Sequence, residues 1–175
     1  MVLDIGPGAA TRFETLQSAW RLDPGRCERL IVLALDGPDS HDLDGGRVQW
    51  MRLSGATEPA LRGLQARVDA FVLHTSTGTD TGTTFTPDLL RRLGRLAAPG
   101  ATLVTSGTDP AARDGLARNG FVVEAEVNVC TQAHFAPRFT LPPPAAFRPP
   151  HHGPREALVI GAGLAGCAAA WALAR

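Results

Sequence analysis

The stretch Val2-Leu3-Asp4-Ile5-Gly6-Pro7-Gly8-Ala9-Ala10 constrains this chain more than any other. A short apolar run closes on an acid, small residues turn the backbone, and from Thr11 the apolar positions Phe13, Leu16, Ala19 and Trp20 recur at helical spacing. That order reads as strand, tight turn and helix N-terminus. Glycine lets such a turn bend sharply and approach a ligand closely because it has no Cβ, and the free N–H groups of the helix start suit an anion. Gly6 and Gly8 therefore read as cradle residues, and Asp4 as an acid placed to hold an amino or hydroxyl group. The same pattern also serves as an ordinary surface turn in any α/β protein, and it leaves both readings open.

Beyond this turn the pattern keeps alternating. Leu30 to Leu35 is a continuous apolar run, read as a buried parallel strand, and it ends in Asp36. Doubly wound nucleotide-binding folds place a ribose-binding acid there, although Asp36 before Gly37-Pro38 is equally a strand-end turn former. Pro38 to Gly46 reads as a solvated loop, Arg47 to Leu53 as a strand, Glu58 to about Arg67 as a helix and Val68 to Leu73 as a strand. A polar loop, Thr75 to Thr84, follows His74. Thr86-Pro87-Asp88 then opens a helix: threonine caps, proline takes the first turn, and Leu89, Leu90, Leu93, Leu96 and Ala97 make the apolar stripe. Ala101 to Thr105 is a strand, Asp109 to Arg118 a helix, and Asn119-Gly120 a turn into a strand from Phe121 to Val129. Repeated β-α-β units predict an α/β fold with a Rossmann-like parallel sheet.

Composition narrows the function classes. With 175 residues, 44% apolar and 19% charged residues and a formal net charge of zero, the chain has the makings of an ordinary globular core. All 17 basic residues are arginine, which excludes a Schiff-base lysine and a P-loop lysine and leaves arginine as the cation for any phosphate. The neutral balance argues against strong autonomous nucleic-acid binding. No run approaches the roughly 18 apolar residues that span a bilayer, so no membrane association and a cytoplasmic location are expected. Cys27, Cys130 and Cys167 have no C-x-x-C spacing; they read as core fillers, and no metal site is expected.

From Phe135 the character changes. Seven prolines between Pro137 and Pro154 make residues 135–155 an extended connector and a domain boundary after residues 1–134. In residues 156–175, Ala157 to Ile160 reads as a strand, Gly161-Ala162-Gly163-Leu164-Ala165-Gly166 is a full G-x-G-x-x-G, and an alanine-rich helix follows. Gly161, Gly163 and Gly166 in that context read as the pyrophosphate turn of a second Rossmann unit. Its ribose-binding acid and neighbouring strands are not in this sequence, so residues 1–175 alone are expected to carry no FAD.

Asp4-x-Gly6-x-Gly8 resembles the first motif of class I S-adenosylmethionine-dependent methyltransferases, with Ala10 where the fuller pattern has a third glycine. The order of modules resembles the bifunctional tRNA 5-methylaminomethyl-2-thiouridine biosynthesis family, which joins such a methyltransferase to an FAD-dependent oxidoreductase domain. Asp4 to Ala10, Asp23 to Leu30, Val68 to Leu73, Thr86 to Leu90, Leu96 to Leu103, Gly115-Leu116 with Asn119-Gly120-Phe121, and Ala157 to Gly166 carry this resemblance across nearly the whole chain. It implies tRNA as partner, S-adenosylmethionine as cofactor, and Asp4, Gly6, Gly8 and Asp36 as its binding residues. Gly161, Gly163 and Gly166 would hold FAD together with a domain outside this sequence. The family also begins ahead of this first strand, so the chain is expected to be a truncated form.

Three site features depart from the family pattern. His74-Thr75-Ser76-Thr77 stands where the family has D-G-F-A-P, with its acid at the methyl-transfer site. Leu53-Ser54-Gly55-Ala56 stands where the third strand ends F-G-D beside the adenine, and Val129 to Phe135 replaces a G-F-G-x-K-R-E-M segment. Weak or lost cofactor binding is therefore expected, and no residue is assigned a catalytic role; His74 is a candidate proton acceptor, although a lone histidine at a strand end is more often structural. The resemblance implies a methyltransferase acting on the aminomethyl group of a wobble uridine. The alternatives are a non-catalytic remnant that serves as N-terminal scaffold of an FAD-dependent oxidoreductase, or a fragment whose parent matters only for its flavin part.

Overall fold

The computed structural model describes residues 1–35, 37–74, 85–106, 110–127 and 130–139. Asp36, the loop Thr75 to Thr84, Asp109, the proline-rich connector beyond Phe139, and Gly161, Gly163 and Gly166 lie outside the described residues.

Strand β1 (Val2–Ile5) leads through the glycine turn into helix α1 (Ala9–Leu22), followed by β2 (Leu30–Ala34), a short β3 (His41–Leu43), a single 3-10 turn at Asp44–Gly46 and β4 (Val48–Arg52). Then come α2 (Thr57–Gly63), β5 (Val68–Leu73), α3 (Pro87–Leu96), β6 (Ala97–Ser106), α4 (Pro110–Arg118), β7 (Phe121–Val127) and β8 (Cys130–Phe135). The strands form one sheet in the order β3-β4-β2-β1-β5-β6-β8-β7. β1 pairs in parallel with β2 and β5, β2 with β4, and β5 with β6. The predicted Rossmann-like parallel core is therefore present, and β1 is its centre. The chain leaves β1 toward β2 on one side and later returns to β5 on the other, so the C-terminal ends of β1 and β5 flank a topological switch point.

Toward both edges of the sheet antiparallel strands flank this parallel core. β3 is antiparallel to β4, pairing His41 with Trp50 and Leu43 with Val48, within the segment read as a solvated loop. Its residues are mostly polar, so it shows no period-2 signal; the imidazole of His41 stacks on Trp50 with ring centroids 6.5 Å apart and meets the edge of Phe13 at 6.2 Å. β8 lies antiparallel to both β6 and β7. It alternates buried Thr131, Ala133 and Phe135 with more exposed Cys130, Gln132 and His134. Two small or polar residues on the buried face hide that alternation from a hydropathy reading. Helix α2 ends at Gly63 rather than near Arg67, and β6 begins at Ala97, ahead of the expected Ala101. Cys27 is exposed, its thiol 3.1 Å from the Arg29 carbonyl, and Cys130 is half-buried, so neither is a core filler.

Strand alternation sends Val2, Val32, Ala34 and Val48 to one face, where Phe13 and Trp20 of α1 and the indole of Trp50 complete a cluster. Leu3, Ile5, Leu33, Phe71 and Leu73 occupy the intervening positions and are buried as well. Phe121 joins the two ends of that second layer, with ring centroids 5.9 Å from Phe71 and 5.1 Å from Phe135. Helix α3 follows its sequence signals: the Thr86 hydroxyl accepts from the Leu89 N–H, Pro87 opens the first turn, and Leu89, Leu90, Leu93 and Leu96 are buried. Close helix approach needs Gly94, where a Cβ would lie 2.6 Å from the Asn119 carbonyl oxygen.

Asp44, in the loop between β3 and β4, ties that edge to α1. Its carboxylate accepts two hydrogen bonds from Arg21, at 3.0 and 2.9 Å, and one from Gln17 at 3.2 Å. The Arg21 hydrogen bonds hold the Asp44 carboxyl below its ordinary value of 3.8, with Gln17 adding to the effect.

Two outcomes follow from this packing. Phe121→Ala removes a ring buried between two others and is expected to cost about 3–5 kcal/mol in urea unfolding; a loss under about 1 kcal/mol would contradict the packing. Because the folded-state pKa of Asp44 is depressed, its ion pair contributes stability above the unfolded value of 3.8 and loses it as the pH falls through the folded value. The stability gap between the wild type and Asp44→Asn is therefore expected to be widest near neutrality and to close in acid. A gap independent of pH would refute the pairing.

Candidate cofactor cradle

The C-terminal end of β1 builds the site. Gly6 has φ +128° and Gly8 φ +80°, the latter as N-cap of α1, so both glycines of the predicted turn adopt backbone conformations closed to most L-residues. Gly6 is also pinned from the side: a Cβ there would lie 2.7 Å from the His74 carbonyl oxygen and 2.8 Å from its Cβ. The His74 N–H in turn donates to the Ile5 carbonyl at 2.8 Å, which locks the ends of β1 and β5 together. The His74 imidazole reaches the next strand, with Nδ1 3.1 Å from the hydroxyl of Ser106 at the end of β6. His74 and Ser106 thus stand side by side at the rim of the switch point.

Asp4 is fully buried, and its partner is a residue the sequence reading passed over. Arg12 donates from Nε to Oδ2 at 2.8 Å and from Nη2 to Oδ1 at 2.6 Å, a bidentate clasp. The same guanidinium also donates to the Pro7 carbonyl at 2.7 Å and the Gly6 carbonyl at 3.2 Å. The signal was present: Arg12 lies one helical turn beyond Gly8, and helical side chains lean back toward the N-terminus, here over the turn itself. So the backbone of the cradle has the shape expected of it, while the acid expected to hold a ligand amino group is held by the chain's own arginine. As arranged, a ligand amino group would have to take the place of Arg12 to reach the Asp4 carboxylate.

Around the rim, β4 ends with the Leu53 N–H donating to the Ala34 carbonyl at 2.7 Å, and exposed Ser54, Gly55 and Ala56 follow. Ala56 is the N-cap of α2 and offers no side-chain acceptor there. Gly37 has φ +119°, and a Cβ on it would lie 2.5 Å from the Trp50 ring, so the turn after Asp36 is shaped by the indole beneath it. Among the described residues, no group of His, Cys, Asp and Glu side chains is arranged to hold a metal ion. No described helix is long and apolar enough to cross a membrane.

Comparison with known proteins places this architecture. A tRNA 5-methylaminomethyl-2-thiouridine biosynthesis bifunctional protein MnmC from Methylibium petroleiphilum is 36% identical, over 100% of this chain and 33% of its own length. The MnmC of Ectopseudomonas mendocina is 39% identical over 75% of this chain and 21% of its own length. The chain belongs to the MnmC family. It spans about a third of the length of the relatives first matched. Among solved structures, MnmC2 from Aquifex aeolicus superposes with a TM-score of 0.61 at 15% identity, covering 81% of this chain and 54% of that one, which shows the shared Rossmann-like fold. No protein-family model matches the chain.

The cradle geometry of this MnmC homologue ranks its glycines. Gly6→Ala combines a forbidden φ with a collision against His74 just past β5, whereas Gly45→Ala, at φ +68°, meets nothing within 4 Å. Gly6→Ala is expected to lose about 1–3 kcal/mol more than Gly45→Ala in chemical denaturation. Equal losses would show that β1 and β5 do not meet tightly at this turn.

Proposed function

We propose that this chain is the S-adenosylmethionine-dependent methyltransferase part of a cytoplasmic, bifunctional tRNA-modifying protein, acting on the aminomethyl group of a wobble uridine. What carries the reading is the kinship with MnmC over the whole chain, together with a positive-φ glycine turn at the C-terminal end of the central parallel strand. Gly6 and Gly8 would admit the cofactor's close approach, and Asp36 would take its ribose. Methyl transfer to an amine requires alignment and the loss of one proton. S-adenosylmethionine would supply the methyl electrophile, and His74 stands at the rim as the candidate proton acceptor. Gly161, Gly163 and Gly166 would serve an FAD-dependent oxidoreductase domain, in the same chain or as a separate partner.

A second reading has its own observation. The Arg12 clasp on Asp4, with Ala56 and His74 in place of two acids, favours a non-catalytic domain that keeps the fold as a scaffold for the oxidoreductase. Titration calorimetry with S-adenosylmethionine, paired with a methyl-transfer assay on hypomodified tRNA, separates the two. Loss of one charge-assisted hydrogen bond costs about 1.5–3 kcal/mol, so the methyltransferase reading expects weak but measurable binding together with transfer. Silence in both assays at millimolar cofactor favours the scaffold.

A further inference from the structure

We propose that Arg12 is an internal occupant of the cradle's cation subsite, so that the turn accepts only a ligand whose own cationic group displaces the guanidinium. The proposal deepens the reading above, because it concerns the same turn. The Asp4 side chain is 1% exposed and that of Arg12 29%, so the acid has no access to solvent while the arginine lies at the mouth. Four donor contacts from one guanidinium cover both carboxylate oxygens and the carbonyls of Gly6 and Pro7. Those are the inward-facing acceptors that a ligand ammonium would use.

The position of Arg12 gives the second line of argument. It sits in the first turn of α1, where the N–H ends carry partial positive charge and a cation is disfavoured; that turn contains no acid to offset it. Helix stability therefore does not explain an arginine there, whereas the buried carboxylate does. Gly8 leaves room for it, since a Cβ on Gly8 would lie 3.3 Å from Arg12 Nη1. Rotation of a long, partly exposed side chain into solvent opens the subsite without moving β1 or α1, provided that another cation takes over Asp4. A ligand without such a group would leave a buried charge unpaired.

The test uses the whole chain with Arg12→Ala, and with Arg12→Gln as a second variant that keeps one hydrogen-bond donor should the alanine variant fail to fold. Methylguanidinium at low millimolar concentration is the probe, read by thermal unfolding. It is expected to raise the melting temperature of the Arg12 variant by several degrees and to leave the wild type and Asp4→Asn/Arg12→Gln unmoved. S-adenosylmethionine and S-adenosylhomocysteine, both of which carry an ammonium, are expected to bind the Arg12 variant at least tenfold more tightly than the wild type. Methylguanidinium that shifts all three proteins alike, or none, overturns the proposal. Rescue by methylguanidinium without binding of either nucleoside upholds the occupied subsite and removes the methyltransferase reading, so the two fail separately.

Discussion

A carboxylate buried at the end of the central strand has to be paired, and much of the local architecture answers that requirement. Asp4 lies in β1, hydrogen-bonded on both sides by parallel neighbours, and no water reaches its side chain. Leaving such a charge unpaired costs about 3–5 kcal/mol, a large share of the stability of a domain this size. Arg12 meets the requirement from the first turn of α1, and its reach fixes where α1 starts relative to β1. The turn between them must then be short enough to bring Arg12 back over Asp4, which is why Gly6 and Gly8 adopt positive φ. The carbonyls that the turn exposes are satisfied by the same guanidinium. One ion pair thus couples strand, turn and helix.

The same coupling separates the scaffold from the site. The sheet is held by the Trp50, Phe13 and His41 group on one side and by Phe71, Phe121 and Phe135 on the other. Rim residues such as Ser54, Ala56 and His74 are exposed and carry little of the packing. A change of side chain at these positions therefore leaves the sheet packing untouched.

The legibility of the chain followed the same division. Strands buried on both faces announce themselves as apolar runs, so β1, β2 and β5 could be read from Val2, Leu30 and Val68 onward; α3 was legible because Thr86, Pro87 and the leucine stripe agree. The antiparallel strands β3, at one edge, and β8, between β6 and β7, were not legible. Their stability comes from the strands they pair with, Trp50 opposite His41 and Thr102 opposite His134, rather than from their own hydropathy. At the site, the glycines were legible because positive φ at a β-to-α turn is a local backbone demand. The state of Asp4 was not, because a carboxylate's partner depends on which side chain arrives beside it.

That difference sets how far a motif can be carried from sequence to chemistry. D-x-G-x-G specifies backbone shape through its glycines, and shape is what the structure reproduces in Gly6 and Gly8. The acid specifies only a charge in need of a partner, and it is equally satisfied by a ligand ammonium or by Arg12. A cradle can keep the positive-φ glycines of its turn while its acid is neutralised by an arginine a helical turn away. In this chain the residue that decides whether the motif binds a cation is therefore Arg12, which the motif does not contain.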